Sequence, residues 1–128
     1  MSKYNTITKD SIRALVESFY PTILADSITA PFFIEKLGSD INSKEWQEHL
    51  ELLTDFWAFT ALGDLSYTGS PLAPHFGLKG LNKEAFDRWL ELFYEAIDRV
   101  YEPSVGEFFK TRSSNIARNF MINLGISA

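Results

Sequence analysis

Cysteine is missing from all 128 residues, which rules out disulfides, thiolate metal sites and any prosthetic group attached through a thioether. Clustered basic charge is missing too. Twelve Lys and Arg stand against seventeen Asp and Glu, the net charge is −5, and no basic run occurs. Nucleic acids and anionic membrane surfaces select for Lys and Arg clusters, so neither is an expected partner. No apolar stretch approaches the roughly 18 residues of a membrane span. The first ten residues, Met-Ser-Lys-Tyr-Asn-Thr-Ile-Thr-Lys-Asp, contain no apolar signal region, and a cytoplasmic location is the expectation. Strand-like alternation, internal repeats and low-complexity segments are also lacking, which leaves an all-α class.

Aromatic rings are plentiful instead. Eleven Phe, five Tyr and three Trp make up 15% of the chain, an excess that suggests a flat apolar ligand, although large aromatic cores without ligands are common. A chain of this length forms one domain, here 1–128, and can bury roughly two thirds of the surface of its unfolded form.

Residues 8–25 carry Ile12, Leu15, Val16, Phe19, Tyr20, Ile23 and Leu24 at helical spacing, with Thr8 or Asp10 as N-cap. Pro21 interrupts them. An interior proline costs about 3 kcal/mol and removes a backbone bond, so a kink or restart is expected beside Tyr20. Residues 30–38 read as a short helix with Pro31 near its start and Gly38 after its end, and 39–42 as a polar loop. The next helix is predicted to open at Asn42 or Ser43, where Asn42 and Glu45 resemble a capping box, and to reach Leu62 before Gly63. Its inward stripe reads Trp46, His49, Leu50, Leu53, Phe56, Trp57 and Thr60. A third long helix starts at Asn82, with Phe86, Trp89, Leu90, Phe93, Ile97, Val100 and Tyr101 on one side. Pro103 ends it and opens the last helix, which presents Val105, Phe108, Phe109, Ile116, Phe120 and Leu124, is interrupted by Arg112 and stops at Gly125. Four main helices result.

Between the second and third long patterns lies residues 70–81, a proline-stiffened segment holding one of only two histidines. Ser70-Pro71 reads as an N-cap followed by proline at the first helical position, Pro74 still fits the first turn, and Gly77 and Gly80 end the helix after at most about two turns. Such a segment buries little apolar surface, yet it fixes where His75 points, as an axial metal ligand requires. The other histidine, His49, sits on an apolar helix face, where a histidine is commonly a core residue with its hydrogen bonds satisfied. Zinc would want three or four ligands, and neither histidine has an H-E-x-x-H motif or acidic cluster beside it. Haem iron needs one strong protein ligand, a neutral imidazole, and an apolar wall.

The order and spacing of Phe19-Tyr20, Pro31-Phe32-Phe33, Glu45-Trp46-Gln47-Glu48-His49, Phe56-Trp57, Pro71-Leu72-Ala73-Pro74-His75 and Trp89-Leu90-Glu91-Leu92-Phe93 resemble the truncated haemoglobins, specifically group III, over residues 8–124. The Gly-Gly pairs of other truncated groups are absent. The resemblance implies a truncated globin fold, a two-over-two helical sandwich with the 8–25 and 42–62 helices against the last two. It also implies haem b, iron protoporphyrin IX, with His75 as the proximal iron ligand. By the same resemblance Tyr20, His49 and Trp89 line the distal, reactive side, and Phe33, Leu53, Trp57 and Phe93 help hold the cofactor. The implied partners are O2, NO, CO and an unidentified reductase, and the chain is expected to act as a monomer.

Donors beside a bound gas stabilise the charge that develops on it. Tyr20, with a reference pKa of about 10, donates at neutral pH, and the Trp89 indole can only donate. Each such bond is worth roughly 1.5–3 kcal/mol, about ten- to over a hundredfold in release rate. Two donors imply slow release, which suits chemistry on the gas, such as NO dioxygenation or a peroxidase-like reaction, better than oxygen transport. Plainer readings stand beside each residue. Trp89 also fits ordinary packing. Tyr20 also fits a core edge, His49 fits either a gate or a hydrogen-bond partner, and Arg112 fits either a propionate partner or a stem lying over the core. The competing class is a non-haem helical module holding an apolar ligand or a partner in its aromatic core.

Overall fold

In the computed structural model, which describes residues 3–63 and 81–126, three of the four long helices open where a side chain accepts an otherwise free amide. Thr8 and Ser11 form a reciprocal box at the start of α1 (Lys9–Ala25): the Ser11 amide donates to Thr8 Oγ1 at 3.1 Å and the Thr8 amide to Ser11 Oγ at 2.9 Å. α2 (Ala30–Leu37) carries Pro31 in its first turn and stops at Gly38. Ser43 caps α3 (Lys44–Leu62) by accepting from the Trp46 amide at 3.3 Å. The Asn42–Glu45 box expected from sequence is not what forms, because Asn42 belongs to a preceding turn in which its amide donates to Asp40 Oδ1 at 2.9 Å. Gly63 ends α3 at φ 72°, a left-handed geometry that favours glycine. Asn82 caps α4 (Lys83–Val100) through the Ala85 amide at 2.9 Å, and Pro103 opens α5 (Pro103–Asn123).

Of the kink or restart expected at Pro21, the restart does not occur, and α1 runs through the proline. Pro21 is exposed, so its missing N–H falls on the solvent side, where water can serve the freed carbonyl of Glu17. One residue on, the Thr22 hydroxyl donates to the Phe19 carbonyl at 2.6 Å.

α1 is the element the others surround. Its Ile12, Leu15, Val16, Phe19 and Ile23 are fully buried, and it packs on α2, α3 and α4, while α4 packs on α5. Rings on α3 reach the far layer, Trp57 lying 5.4 Å from Phe93 and 5.6 Å from Phe109 between centroids. The arrangement is the two-over-two sandwich, all-helical among the described residues. The Trp46 indole clamps α3 to the end of α2 by donating to the Gly38 carbonyl at 2.8 Å. Tyr4 exchanges backbone bonds with Val100 and Glu102, holding the leading segment against the α4–α5 corner. No helix among the described residues is long and apolar enough to cross a membrane.

Two stripes are rotated from the sequence expectation. α3 buries Trp46, Leu50, Thr54, Trp57 and Ala58, leaving His49, Leu53, Phe56 and Thr60 only partly buried. α5 buries Gly106, Phe109, Ser113, Ala117 and Met121, with Val105, Phe108, Ile116, Phe120 and Leu124 as its partly buried flanks. Small residues line the closest crossings, and the large ones fill the sides. Arg112 therefore does not interrupt the seam; it is exposed, with its guanidinium 5.5 Å from the Phe108 ring centre.

The α4–α5 crossing yields a test. A Cβ at Gly106 would lie 2.7 Å from Cγ2 of Ile97, which is fully buried and cannot retreat. Overpacking costs about 1–3 kcal/mol, against a helix-propensity gain of at most about 1 kcal/mol for alanine. Gly106→Ala is expected to lower the melting temperature by several degrees, and Ile97→Ala in the same chain to cost less than it does alone, both read by thermal unfolding.

Candidate functional site

Phe19 and Tyr20 are consecutive on α1, so they point about 100° apart and serve two walls. Phe19 faces α4, edge-on to Trp89 at 5.3 Å and Phe93 at 4.9 Å. Tyr20 faces α2 and α3, with Phe33 at 5.8 Å, Trp46 at 5.7 Å and His49 at 5.6 Å. The Trp89 indole is within hydrogen-bonding reach of the Tyr20 hydroxyl. Three polar groups from three helices, a phenol, an indole and an imidazole, thus converge among rings.

His49 follows Trp46 by three residues and shares its face of α3, the two rings lying 5.6 Å apart nearly at right angles. The residue is partly exposed, while its Nε2 is buried. That nitrogen lies inside the ring cluster, while part of the residue reaches solvent. Phe33 completes this wall, stacked on Trp46 at 6.0 Å.

Burial dominates the electrostatics of Tyr20. It pushes the phenol far above its ordinary value, and the hydrogen bond from Trp89 recovers only part of that. Tyr20 is therefore a protonated donor throughout the physiological range. Tyr101, at the opposite end of α1, behaves alike: burial raises it to about 12 despite its 2.7 Å bond with Ser11 Oγ.

The remaining residues expected at the site fall into a second group. Trp89, Phe93 and Trp57 form a run of near-parallel rings, 5.0 Å and 5.4 Å between successive centroids, joined to the first group through Phe19 and through the Trp89–Tyr20 contact. Leu53, four residues beyond His49, is partly buried against the same core. His75 lies outside the described residues, as does all of 64–80. Trp46 and Phe19 were missed as site residues, although the three-residue step from Trp46 to His49 and the adjacency of Phe19 to Tyr20 were visible in the sequence. Among the described residues no group of three or more His, Cys, Asp or Glu is placed to hold a metal ion. The donor set consists of neutral N–H and O–H groups above apolar rings.

A tyrosine held neutral in the folded chain ionises more readily once unfolded, so stability is full below about pH 10 and is lost as pH rises toward the folded value. Within that window each such tyrosine removes about 1.4 kcal/mol per pH unit. Urea unfolding between pH 8 and pH 11.5 is expected to show the decline beginning near pH 10, with a shallower slope in Tyr20→Phe. An unchanged slope would mean that the Tyr20 hydroxyl ionises freely.

No protein-family model matches the sequence. A curated relative, the group 3 truncated hemoglobin ctb of Campylobacter jejuni subsp. jejuni, is 35% identical over 118 residues, covering 92% of this chain and 91% of its own. The crystal structure of a group III truncated hemoglobin from Campylobacter jejuni superposes with a TM-score of 0.90 at 34% identity, covering 96% of this chain and 95% of the other. With that agreement extending over nearly the whole length, through the helices that carry Tyr20, His49 and Trp89, the chain belongs to the group III truncated haemoglobins.

Proposed function

We propose that this globin binds haem b, that His75 would hold its iron, and that a diatomic gas bound there would lie against Tyr20, Trp89 and His49. The observation that supports the reading is the convergence of the Tyr20 hydroxyl, the Trp89 indole and the His49 ring inside an aromatic enclosure. The donor chemistry fits the cofactor. An imidazole on a separate segment suffices for the iron, and the flat rings of Phe33, Trp57 and Phe93 with Leu53 suit a macrocycle better than a hydrated ion. Haem iron, when bound, supplies reversible coordination of O2, NO and CO.

The residues then divide the work. Tyr20 donates its proton toward the gas, and its raised pKa keeps that proton in place. Trp89 has a single N–H and two acceptors within reach, the phenol oxygen and the gas, so it either braces Tyr20 or donates directly. The surrounding rings exclude water, which strengthens each bond. Partly exposed at the pocket edge, His49 lies where a gas enters, and its imidazole both lines the path and supplies a third polar group.

Slow release favours reaction over delivery. NO and O2 combine to nitrate with one electron, which an external reductase restores; peroxidase-like chemistry uses the same donors. The first test is colour: the purified protein is expected to show a Soret band that His75→Ala abolishes, and a folded, colourless chain indifferent to added haemin would favour a non-haem module instead. Tyr20→Phe and Trp89→Phe are each expected to speed oxygen dissociation about tenfold or more, measured by stopped flow. Adding stoichiometric NO to the oxygenated protein is expected to yield nitrate, and survival of the oxygenated spectrum would dismiss the dioxygenase reading.

A further inference from the structure

Asp26 stands where α1 turns into α2, with only 11% of its side chain exposed. Its two oxygens do different things. Oδ2 closes the turn, accepting from the amides of Ile28 at 3.1 Å and Thr29 at 3.0 Å and from the Thr29 hydroxyl at 3.2 Å. Oδ1 accepts from Arg88 Nε at 2.8 Å, across to α4. Arg88 is the residue before Trp89, and Trp89 reaches back to Tyr20, six residues before Asp26 on α1. Tyr20, the last turns of α1, Asp26, Arg88 and Trp89 thereby form a circuit of helix backbone and polar side-chain contacts.

We infer that the Asp26–Arg88 pair is a positioning clasp, which sets the distance from the Trp89 indole to the Tyr20 hydroxyl and so the hold of both donors on a bound gas. The inference deepens the gas-binding reading and rests on it for its kinetic consequence. Helix geometry shows why a clasp matters here. A side-chain tip lies about 5–6 Å from its helix axis, so a rotation of α4 by about 10° moves the indole by about 1 Å. A hydrogen bond tolerates only about half that spread. Apolar contact of Trp89 with Phe19 and Phe93 restrains the ring far less sharply in direction.

The pair is built for placement more than for folding stability. Arg88 is about a third exposed, where ion pairs contribute little. Burial alone would raise the Asp26 pKa, but the bonds from Arg88 and Thr29 and the guanidinium charge outweigh it and hold the carboxyl below its ordinary value, so the clasp stays charged at neutral pH. Glu91, itself exposed, also accepts from Arg88.

Asp26→Asn is the informative substitution, because the amide oxygen can still close the turn while the charge and the acceptor facing Arg88 are lost. It lies 63 positions from Trp89, so no local sequence effect reaches the indole. In 15N-labelled protein, with and without haem, the Trp89 indole N–H resonance, assigned through Trp89→Phe, is expected to shift while those of Trp46 and Trp57 stay. Oxygen dissociation from the haem-loaded protein is expected to rise at least threefold, Arg88→Lys to fall between, and Glu91→Gln to change neither. In a Tyr20→Phe background the acceleration from Asp26→Asn should vanish. If Asp26→Asn folds poorly, Arg88→Met provides the same two readings. A lowered melting temperature with an unmoved Trp89 resonance and unchanged oxygen release would overturn the clasp, as would an acceleration that persists fully without the Tyr20 hydroxyl. Because the resonance is also read without haem, a shift in a chain that takes up no haem supports the clasp while rejecting the gas-binding reading.

Discussion

A phenol hydroxyl carried into the middle of an aromatic core is the constraint around which this molecule is arranged. Burying a hydroxyl without a partner costs about 1–3 kcal/mol in proteins, a sizeable part of the stability of any domain this size. Tyr20 avoids that cost because an indole from α4 stands within reach of its oxygen. For this to happen α4 must lie against α1 at one height and one rotation. The full burial of Phe19, Phe93 and Ile97 between these helices, and the Asp26–Arg88 pair at their end, act on that same placement.

The rest of the core follows from how rings and small residues share space. Phe93, Trp57 and Trp89 lie near-parallel, while Phe19, Tyr20 and His49 meet their neighbours edge-on, the two geometries that the ring quadrupole favours. Large rings need close backbones elsewhere, and Ala58, Ala96, Gly106, Ser113 and Ala117, all buried, provide them. A wall packed this way resists small displacements of its side chains. His49 is the exception, set at the rim with one side toward solvent, which suits a residue at an entry.

The two helix stripes misled for one physical reason. Thr54, Ser113, Ala117 and Gly106 carry little hydropathy, so the stripes of α3 and α5 were drawn through their larger neighbours and came out rotated. Burial at a close crossing selects for smallness, and hydrophobic periodicity does not register smallness. The helix continues through Pro21, whose exposed position leaves water to serve the carbonyl that its missing N–H frees. Trp46 is core and also lies beside Tyr20 and His49, because one ring on this face of α3 can touch both.

Read alone, the amino-acid sequence determined the all-helical class and the stops at Gly38 and Gly63, and it narrowed the starts of the long helices to Thr8 or Asp10, to Asn42 or Ser43, and to Asn82. These are local matters: a cap satisfies an amide three residues away, and a 3.6-residue period needs no partner to be seen. Tertiary structure alone decided that Trp89 meets the oxygen of Tyr20, that Phe33 and Trp46 stack, and that Asp26 holds Arg88 across 62 residues. Hydrogen bonds and ring contacts between distant segments depend on helix rotation to within about an ångström, and nothing in the spacing of residues along one helix carries that information about another.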